Sequence, residues 1–214
     1  MSWLITPTQP IPAVIGEPFG GGYFAGYISH TADGNPTHAL IVAPRATGAT
    51  GTGYTLTTML QWKTVNTTTA GANSTFDGMA NTAAMVTAGI ADHPAAQFCV
   101  GLSIGGFTDW YFPSLLELHI AYFNLKPTTT ANVTTSGINA YAVPARASNY
   151  TTGNPAQTVV TAFTGIEAFE LSAGFSSTQG AANTGRRLWF ANGTQDFFNK
   201  TVGRHVRAFR RIAL

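Results

Sequence analysis

Aromatic and β-branched side chains cluster near the start of the chain in a way that is typical of β-strands. Residues 22–28 and 38–42 are rich in them, and an Asp-Gly-Asn-Pro sequence at residues 33–36 lies between the two runs. Such runs favour strands, and Asp-Gly and Asn-Pro favour a turn. The pattern therefore predicts an antiparallel hairpin, entered through the three glycines at residues 20–22.

A first helix is predicted between Asp77 and Gly89. Aspartate is a good N-cap residue, and glycine commonly follows the last turn of a helix. Met79, Ala83 and Val86 recur at helical spacing within this segment. They would form one stripe, and we expect this stripe to pack inward.

A second helix is predicted from Leu115 to about Asn124. Ser114 and Glu117 have the spacing of a capping box, in which hydroxyl and carboxylate each bind a backbone amide of the first turn. Pro127 lies just past the expected end. Apolar side chains occupy most faces, so the helix needs cover on both sides. One side carries Leu115, Leu118 and Tyr122, and the other carries Leu116, Ile120 and Phe123.

Short strands are predicted in the last quarter of the chain. Asn192-Gly193 lies between two apolar runs and is a strong hairpin signal. We expect strands at residues 168–172, 188–191, 195–199 and 205–212. The last one would place His205, Arg207, Phe209 and Arg211 on one face and Val206, Ala208, Arg210 and Ile212 on the other.

Three segments lack periodicity. Residues 1–16 contain three prolines, which favour an extended arm. Residues 44–61 are rich in glycine and threonine and predict a surface loop. Residues 127–158 are rich in Thr, Asn, Ala and Pro, and we expect a long surface excursion of the kind that is often functional or an assembly contact.

The composition favours one domain with a neutral surface. The chain has 214 residues, of which only 9% are charged, against roughly 25% in ordinary soluble domains. Such a hydroxyl-rich chain suits an extracellular or virion protein better than a cytosolic enzyme. The net charge of +2 gives no general attraction to nucleic acid or membrane. No signal-peptide pattern opens the chain, and no apolar run is long enough to insert into a membrane.

The basic residues are unevenly distributed. Seven of the eleven fall in the last 29 positions, and six of these are the arginines Arg186, Arg187, Arg204, Arg207, Arg210 and Arg211. One interpretation pairs these strand arginines with Asp109, Glu117, Glu167 or Glu170. The other makes them an anion-recognising patch.

Motifs for catalysis or metal binding are weak. Five histidines and nine acids are scattered without the spacing of a known catalytic or metal motif. Residues 101–105 fit G-x-S-x-G by letter, but no helix pattern follows them, as a nucleophile elbow requires. Cys99 is the single cysteine, which excludes an intrachain disulfide and a multi-thiolate site, and we expect it to be buried. We therefore expect no enzyme activity, no metal and no cofactor.

Several sequence blocks occur in a characteristic order. They are Gly-Gly-Phe-Thr-Asp-Trp-Tyr-Phe-Pro-Ser at 105–114, Phe-Ser-Ser-Thr at 175–178, Leu-Trp-Phe-Ala-Asn-Gly at 188–193 and Val-Arg-Ala-Phe-Arg-Arg at 206–211. In this order the chain resembles the DUF1566 family, whose members typically carry a GG-x-TDWYLPS-x-EL block, a WSST block, an aromatic strand ending in Asn-Gly or Asp-Gly, and a VRAVRR-like end. The match runs from about Gly20 to Leu214.

The resemblance implies an α+β, C-type-lectin-like fold. Two helices would pack on curled antiparallel β-sheets, with residues 1–16 as the arm and 17–214 as the domain. It also implies a place among bacteriophage structural proteins. Sulfatase-activating oxidases share this broad fold but use a cysteine pair for copper, which Cys99 alone cannot supply. Calcium-dependent lectins use Glu-Pro-Asn with Trp-Asn-Asp, whereas this chain has Glu-Pro-Phe at residues 17–19 and no Trp-Asn-Asp.

In lectin-like folds the ligand face is built from late loops and strands. By that resemblance the candidate ligand-binding residues are Phe175, Thr178, Gln179, Trp189, Asn192, Gln195, Asp196, Phe197 and Asn199. They combine aromatic platforms with amides, which suits sugar rings or protein loops. The alternative is that Trp189 and one of Phe197 or Phe198 are core residues. Trp62 and Trp110 are expected in the core.

The leading functional hypothesis is a non-enzymatic virion protein of a bacteriophage, a lectin-like receptor-binding module of a tail fibre, tail tip or spike. Its partners would be other virion proteins and a host surface glycan or protein, and it would form a homo-oligomer, with a trimer favoured. The second hypothesis is a capsid decoration or structural protein that uses the fold to bind other virion subunits. A bacterial secreted or surface protein ranks third, and an enzyme last.

Overall fold

The computed structural model of the chain describes residues 10–50 and 59–214, which form two antiparallel sheets and several helices. The strands are β1 (Pro18–Phe19), β2 (Gly22–Ile28), β3 (His38–Val42), β4 (Ala142–Val143), β5 (Ala173–Ala181), β6 (Thr184–Trp189), β7 (Gln195–Asn199) and β8 (Phe209–Ala213). The helices are α1 (Arg45–Gly48), α2 (Gly78–Thr87), α3 (Pro94–Val100), α4 (Leu115–Leu125) and α5 (Thr161–Thr164), with a 3₁₀ turn at Ile90–Asp92. The predicted α+β class, with a curled antiparallel sheet, is confirmed. None of the helices in these ranges is long and apolar enough to cross a bilayer.

The first sheet joins the early strands to the end of the chain. Its order is β1-β2-β3-β8, and β4 also pairs with β2, at Tyr27 and Ile28. The predicted hairpin of β2 and β3 is confirmed, with a register shift between Phe24 and Gly26. At Gly26 φ is +124°, and an added Cβ would lie 2.5 Å from Asn124 Nδ2. The same amide donates to Ala25 O at 2.8 Å, so this irregular point of the strand is where α4 docks.

Buried apolar side chains lie on both faces of the segment predicted as the last strand. Val206 and Ala208 belong to one apolar cluster and Phe209 belongs to the other. The regular strand is shorter than expected, since Arg204, His205 and Arg207 make isolated bridges instead of a continuous ladder. The first sheet is therefore covered on both sides.

The capping box of α4 forms as predicted. Glu117 N donates to Ser114 Oγ at 3.4 Å, and Ser114 N donates to Glu117 Oε2 at 2.7 Å. Strand β2 lies on one side of this helix, and β5 and β6 lie on the other. Most of its side chains are buried, which satisfies the need for cover on both sides.

The inward face of α2 differs from the prediction. Asp77 caps the helix, with its Oδ1 accepting from Ala80 N at 2.8 Å. Ala83 and Val86 are exposed, however, so the expected inward stripe is wrong. The buried face instead carries Gly78, Asn81, Thr82 and Met85.

Hydrogen bonds to distant segments explain this face. Asn81 Nδ2 donates to Ser177 Oγ at 3.0 Å, and Phe112 N donates to Thr82 Oγ1 at 3.1 Å. Because buried polar groups need partners, these bonds decide which side of the helix turns inward. The spacing of apolar residues within the helix does not show these distant partners.

Other predicted elements also differ from the structure. The strand predicted at residues 168–172 is wrong, because pairing with β6 starts only at Ala173. Trp62, Trp110 and Cys99 are buried, as expected. Of the predicted arm, residues 1–9 lie outside the described residues, and so do residues 51–58 of the predicted loop.

The excursion at residues 127–158 is held by polar side chains. Lys126 Nζ donates to Thr130 O, and Asn132 Nδ2 donates to Pro155 O at 2.9 Å. Tyr150 is buried among the α4 side chains. Only the short β4 interrupts its irregular course, so the predicted lack of regular structure is largely confirmed.

Candidate functional site

The candidate surface is built on the second sheet, whose order is β5-β6-β7. The predicted hairpin of β6 and β7 forms, but its connection is wider than a two-residue turn. Trp189 N donates to Thr194 O at 2.8 Å, and Gly193 N donates to Trp189 O at 2.8 Å. Asn192 Oδ1 accepts from Thr194 N at 3.1 Å, so this predicted site residue shapes the turn.

The register of the hairpin divides the candidate residues between two faces. Arg186 pairs with Phe197, and Arg187 pairs with Asp196. Directly opposed residues lie on the same face, and the face changes with each step along a strand. Gln195, Phe197 and Asn199 therefore share one face, and Asp196 lies on the other with Arg187.

The first face, called the Phe197 face, presents Arg186, Gln195, Phe197 and Asn199. The buried Leu188 pairs with Gln195, so this end of the face borders the core. Phe197 is 54% exposed, and the guanidinium carbon of Arg186 lies 4.6 Å from its ring centroid. Asn199 Oδ1 accepts from the backbone and hydroxyl of Thr201. Since β7 is an edge strand, this face combines an open aromatic ring with a cation and amides at the border of the sheet.

The second face is occupied by an ion pair inside a stack of rings. Arg187 donates through Nε and Nη2 to the two carboxylate oxygens of Asp196. Its guanidinium carbon lies 3.9 Å from the ring centroid of Phe198, and Trp189 Nε1 donates to Asp196 Oδ2 at 3.4 Å. Asp196 is thus bonded to partners within the protein, and Trp189 is half-buried.

Three other candidates are held within the protein. Phe175 and Thr178 are each 1% exposed. Thr178 Oγ1 accepts from Leu115 N at 3.0 Å, at the start of α4. Gln179 Oε1 accepts from Thr69 N and from Lys200 Nζ. Because these groups position neighbouring segments, the open surface rests on the Phe197 face.

Two buried lysines lie beneath this region. Lys200 Nζ donates to Thr67 O and lies 4.2 Å from the ring centroid of Trp62, while Lys63 Nζ donates to Thr68 O and Thr69 Oγ1. Burial, reinforced by Lys63, lowers the pKa of Lys200 to about 8. Both amines donate to backbone oxygens of residues 67–68, so their role is structural.

The arginines near the end of the chain are mostly paired. Four of the six make ion pairs within the described residues: Arg187 with Asp196, Arg207 with Glu167, Arg210 with Asp109 and Arg211 with Asp77. Glu167 and Asp109 were among the expected partners, and Glu117 makes no such pair. Arg186 and Arg204 stack on Phe197 and Phe198. These contacts favour the structural interpretation over a continuous anion-recognising patch.

The geometry around the G-x-S-x-G sequence does not fit a nucleophile elbow. Helix α3 ends at Val100, and Ile104 then pairs with Phe107 in an isolated bridge. An elbow needs a strand before the serine and a helix after it. Among the described residues, no group of three or more His, Cys, Asp or Glu side chains is arranged to hold a metal ion.

Sequence reasoning missed one potential site. Arg146 lies in the excursion and borders a depression with Phe123 and Tyr150. It is the only charged residue in positions 127–158, and that isolation is a signal the sequence offered. The side chains that surround it come from distant positions and could not be foreseen.

Comparison with protein-family models, curated proteins and solved structures found no match.

Proposed function

We propose that this chain is a non-enzymatic bacteriophage virion protein, a lectin-like receptor-binding module of a tail fibre, tail tip or spike. The observation that carries the proposal is the Phe197 face. An exposed phenylalanine on an edge strand, backed by Arg186 and flanked by Gln195 and Asn199, suits contact with a sugar ring or a protein loop. A solvated edge strand would ordinarily carry lysines.

The proposed family is DUF1566, and the proposed fold is C-type-lectin-like. The block at residues 105–114 leads into a capped helix, and the last strand joins the sheet of the early strands. Two principal helices and a second three-stranded sheet are what such a domain would contain. The sparse charge of the chain supports an extracellular particle as its location. We propose a homotrimer because fibres and spikes are commonly built from small symmetric oligomers.

A second candidate function is supported by exposed apolar side chains. Val159 and Ile166 are 96% and 79% exposed, and they flank α5. Side chains of this kind favour contact with another protein. A structural or decoration protein of the capsid would use them to bind other virion subunits.

An electron-microscopy map of the virion with this chain located would separate the two candidates. The receptor-binding proposal expects the β6–β7 hairpin to point away from the particle. The structural alternative expects the same hairpin to be buried against capsid or tail subunits. Absence of the chain from the particle would contradict both.

A further inference from the structure

A depression of about 230 Å³ opens beside Phe123 of α4 and the segment that contains Arg146 and Tyr150. No aspartate or glutamate lines it. Drug-sized ligands occupy pockets of about 300–1,000 Å³, so this space suits a single small unit such as one monosaccharide.

Arg146 is fixed in position before any ligand arrives. Its backbone pairs with Asn139 in both directions, at 2.9 Å each. Its Nε donates to Gly137 O at 3.2 Å, and its guanidinium carbon lies 4.6 Å from the ring centroid of Phe123. A guanidinium held in this way loses little conformational freedom when it binds an anion.

The charge of Arg146 is not neutralised within the described part of the chain. The side chain takes part in none of the ion pairs found there, and its Nη2 is buried without a hydrogen-bond partner. Burial lowers the pKa of Arg146, but arginine stays protonated in proteins. A guanidinium without a carboxylate partner favours an incoming oxyanion.

The depression adjoins the candidate surface through Tyr150, which packs on the β6–β7 connection. Tyr150 is buried, and its Cε2 lies 3.0 Å from where a Cβ on Gly193 would be, so the ring packs on the β6–β7 connection. The hydroxyl of Tyr150 lies 3.4 Å from Nδ1 of the buried His119. Asn149 and Asn154 line the depression and are exposed, so their amides are available to a ligand.

We propose that this depression binds a carboxylate-bearing monosaccharide, with the carboxylate paired to Arg146. A guanidinium donates charge-assisted hydrogen bonds to a carboxylate, and here Nε is already bonded to Gly137 O, so the contact falls to the terminal nitrogens. The amides of Asn149 and Asn154 hydrogen-bond the sugar hydroxyls, and the aromatic side chains supply the apolar wall. This inference rests on the proposed receptor-binding function and deepens it by naming a ligand class.

Titration of ¹⁵N-labelled protein with sodium glucuronate, galacturonate and N-acetylneuraminate tests the proposal, with glucose as the uncharged match. At least one acidic sugar should shift the amide signals of residues 146–150 and 154, and glucose should not. Arg146→Gln should weaken this binding by about 10- to 100-fold, the usual effect of losing a hydrogen bond to a charged group. Arg204→Gln, which removes a guanidinium that stacks on Phe198 and does not line the depression, should leave it unchanged.

Three results would overturn the inference. They are the absence of shifts with every acidic sugar, equal shifts with sodium acetate, and unchanged binding by a folded Arg146→Gln variant. Arg146→Lys keeps the charge but lacks the planar guanidinium, and it should bind with intermediate affinity. This variant controls for a folding defect in Arg146→Gln. If the acidic sugars do not bind while substitutions on the Phe197 face still reduce host attachment, this inference fails and the proposed function stands.

Discussion

Gly78 donates its backbone N–H to Glu117 Oε2 at 3.2 Å, and the same oxygen accepts from Ser114 N at 2.7 Å. One buried carboxylate therefore serves the first turns of both α2 and α4. Its other oxygen accepts from the hydroxyl of Tyr111 at 2.7 Å. This junction ties the two principal helices together next to the aromatic block of residues 110–112.

Gly78→Ala should destabilise the protein, although alanine usually stabilises a helix relative to glycine. An added Cβ would lie 2.4 Å from Glu117 Oε2 and 2.5 Å from Ser114 N. Overpacking of this kind costs about 1–3 kcal/mol. Urea denaturation measures the change. Gly153→Ala is the matched control, because its Cβ would meet nothing within 4 Å. An increase in stability for Gly78→Ala would contradict the junction.

Trp110→Ala should remove a large share of the stability of the domain. Trp110 is 2% exposed, and its Nε1 donates to Phe107 O at 3.1 Å. Deleting a buried tryptophan costs about 3–5 kcal/mol, against a typical total of 5–15 kcal/mol. Thermal unfolding checks this. A soluble variant with an unchanged Tm would refute its role as a core anchor.

Stability should fall as the pH drops below about 6.5, the ordinary pKa of histidine. Burial lowers the pKa of His119 to about 3, and the charge of Arg146 adds to the shift. The unfolded chain therefore takes up a proton at this histidine between about pH 6.5 and 3 while the folded chain does not, which costs up to about 1.4 kcal/mol per pH unit. Burial also lowers the pKa values of His30, His38 and His93.

The titration of Glu117 has the opposite effect on stability. Burial raises its pKa to about 7, so its contribution to stability increases as the pH falls from about 7 towards its ordinary value near 4.5. His119 and His30, whose pKa values fall to about 3 and about 4, outweigh this one carboxyl group between pH 5 and 7. Urea midpoints measured between pH 5 and 7 should decline with acidity, and His119→Gln should make the decline shallower. An equally steep profile in the variant would disprove the assignment to His119.

Calcium and EDTA should leave Tm unchanged. The sequence lacks the ligand spacing of calcium-dependent lectins, and only a ligand that binds the folded state shifts Tm. Thermal unfolding with either reagent, with magnesium as the ionic-strength control, is a direct check. A calcium-specific rise of several degrees would reveal a metal site.

The features that could be predicted are those with local signals. The capping box at Ser114 and Glu117 fixed the start of α4, and the turn at residues 33–36 fixed the first hairpin. Both depend on neighbours within a few positions of the sequence. The sequence also located the β6–β7 hairpin, because Asn-Gly between apolar runs is a local pattern.

The features that could not be predicted depend on distant partners. The inward face of α2 is decided by hydrogen bonds of Asn81 and Thr82 with the distant Ser177 and Phe112, which no helical period can show. The committed role of Asp196 depends on its register with Arg187. The depression at Arg146 combines α4 with an irregular segment, so neither part alone indicates it.

Host adsorption of particles that carry Gln195→Ala, Phe197→Ala and Asn199→Ala together tests the central claim most directly. All three substitutions fall on the Phe197 face and spare the ion pair of Asp196. Truncating a central aromatic contact costs about 2 kcal/mol or more, so adsorption should weaken about 30-fold while folding and particle assembly stay intact. Asn35→Ala with Asn66→Ala, at exposed positions elsewhere, should adsorb normally. Unchanged adsorption by the triple variant would contradict receptor binding through this face, and failure to assemble would favour the structural alternative.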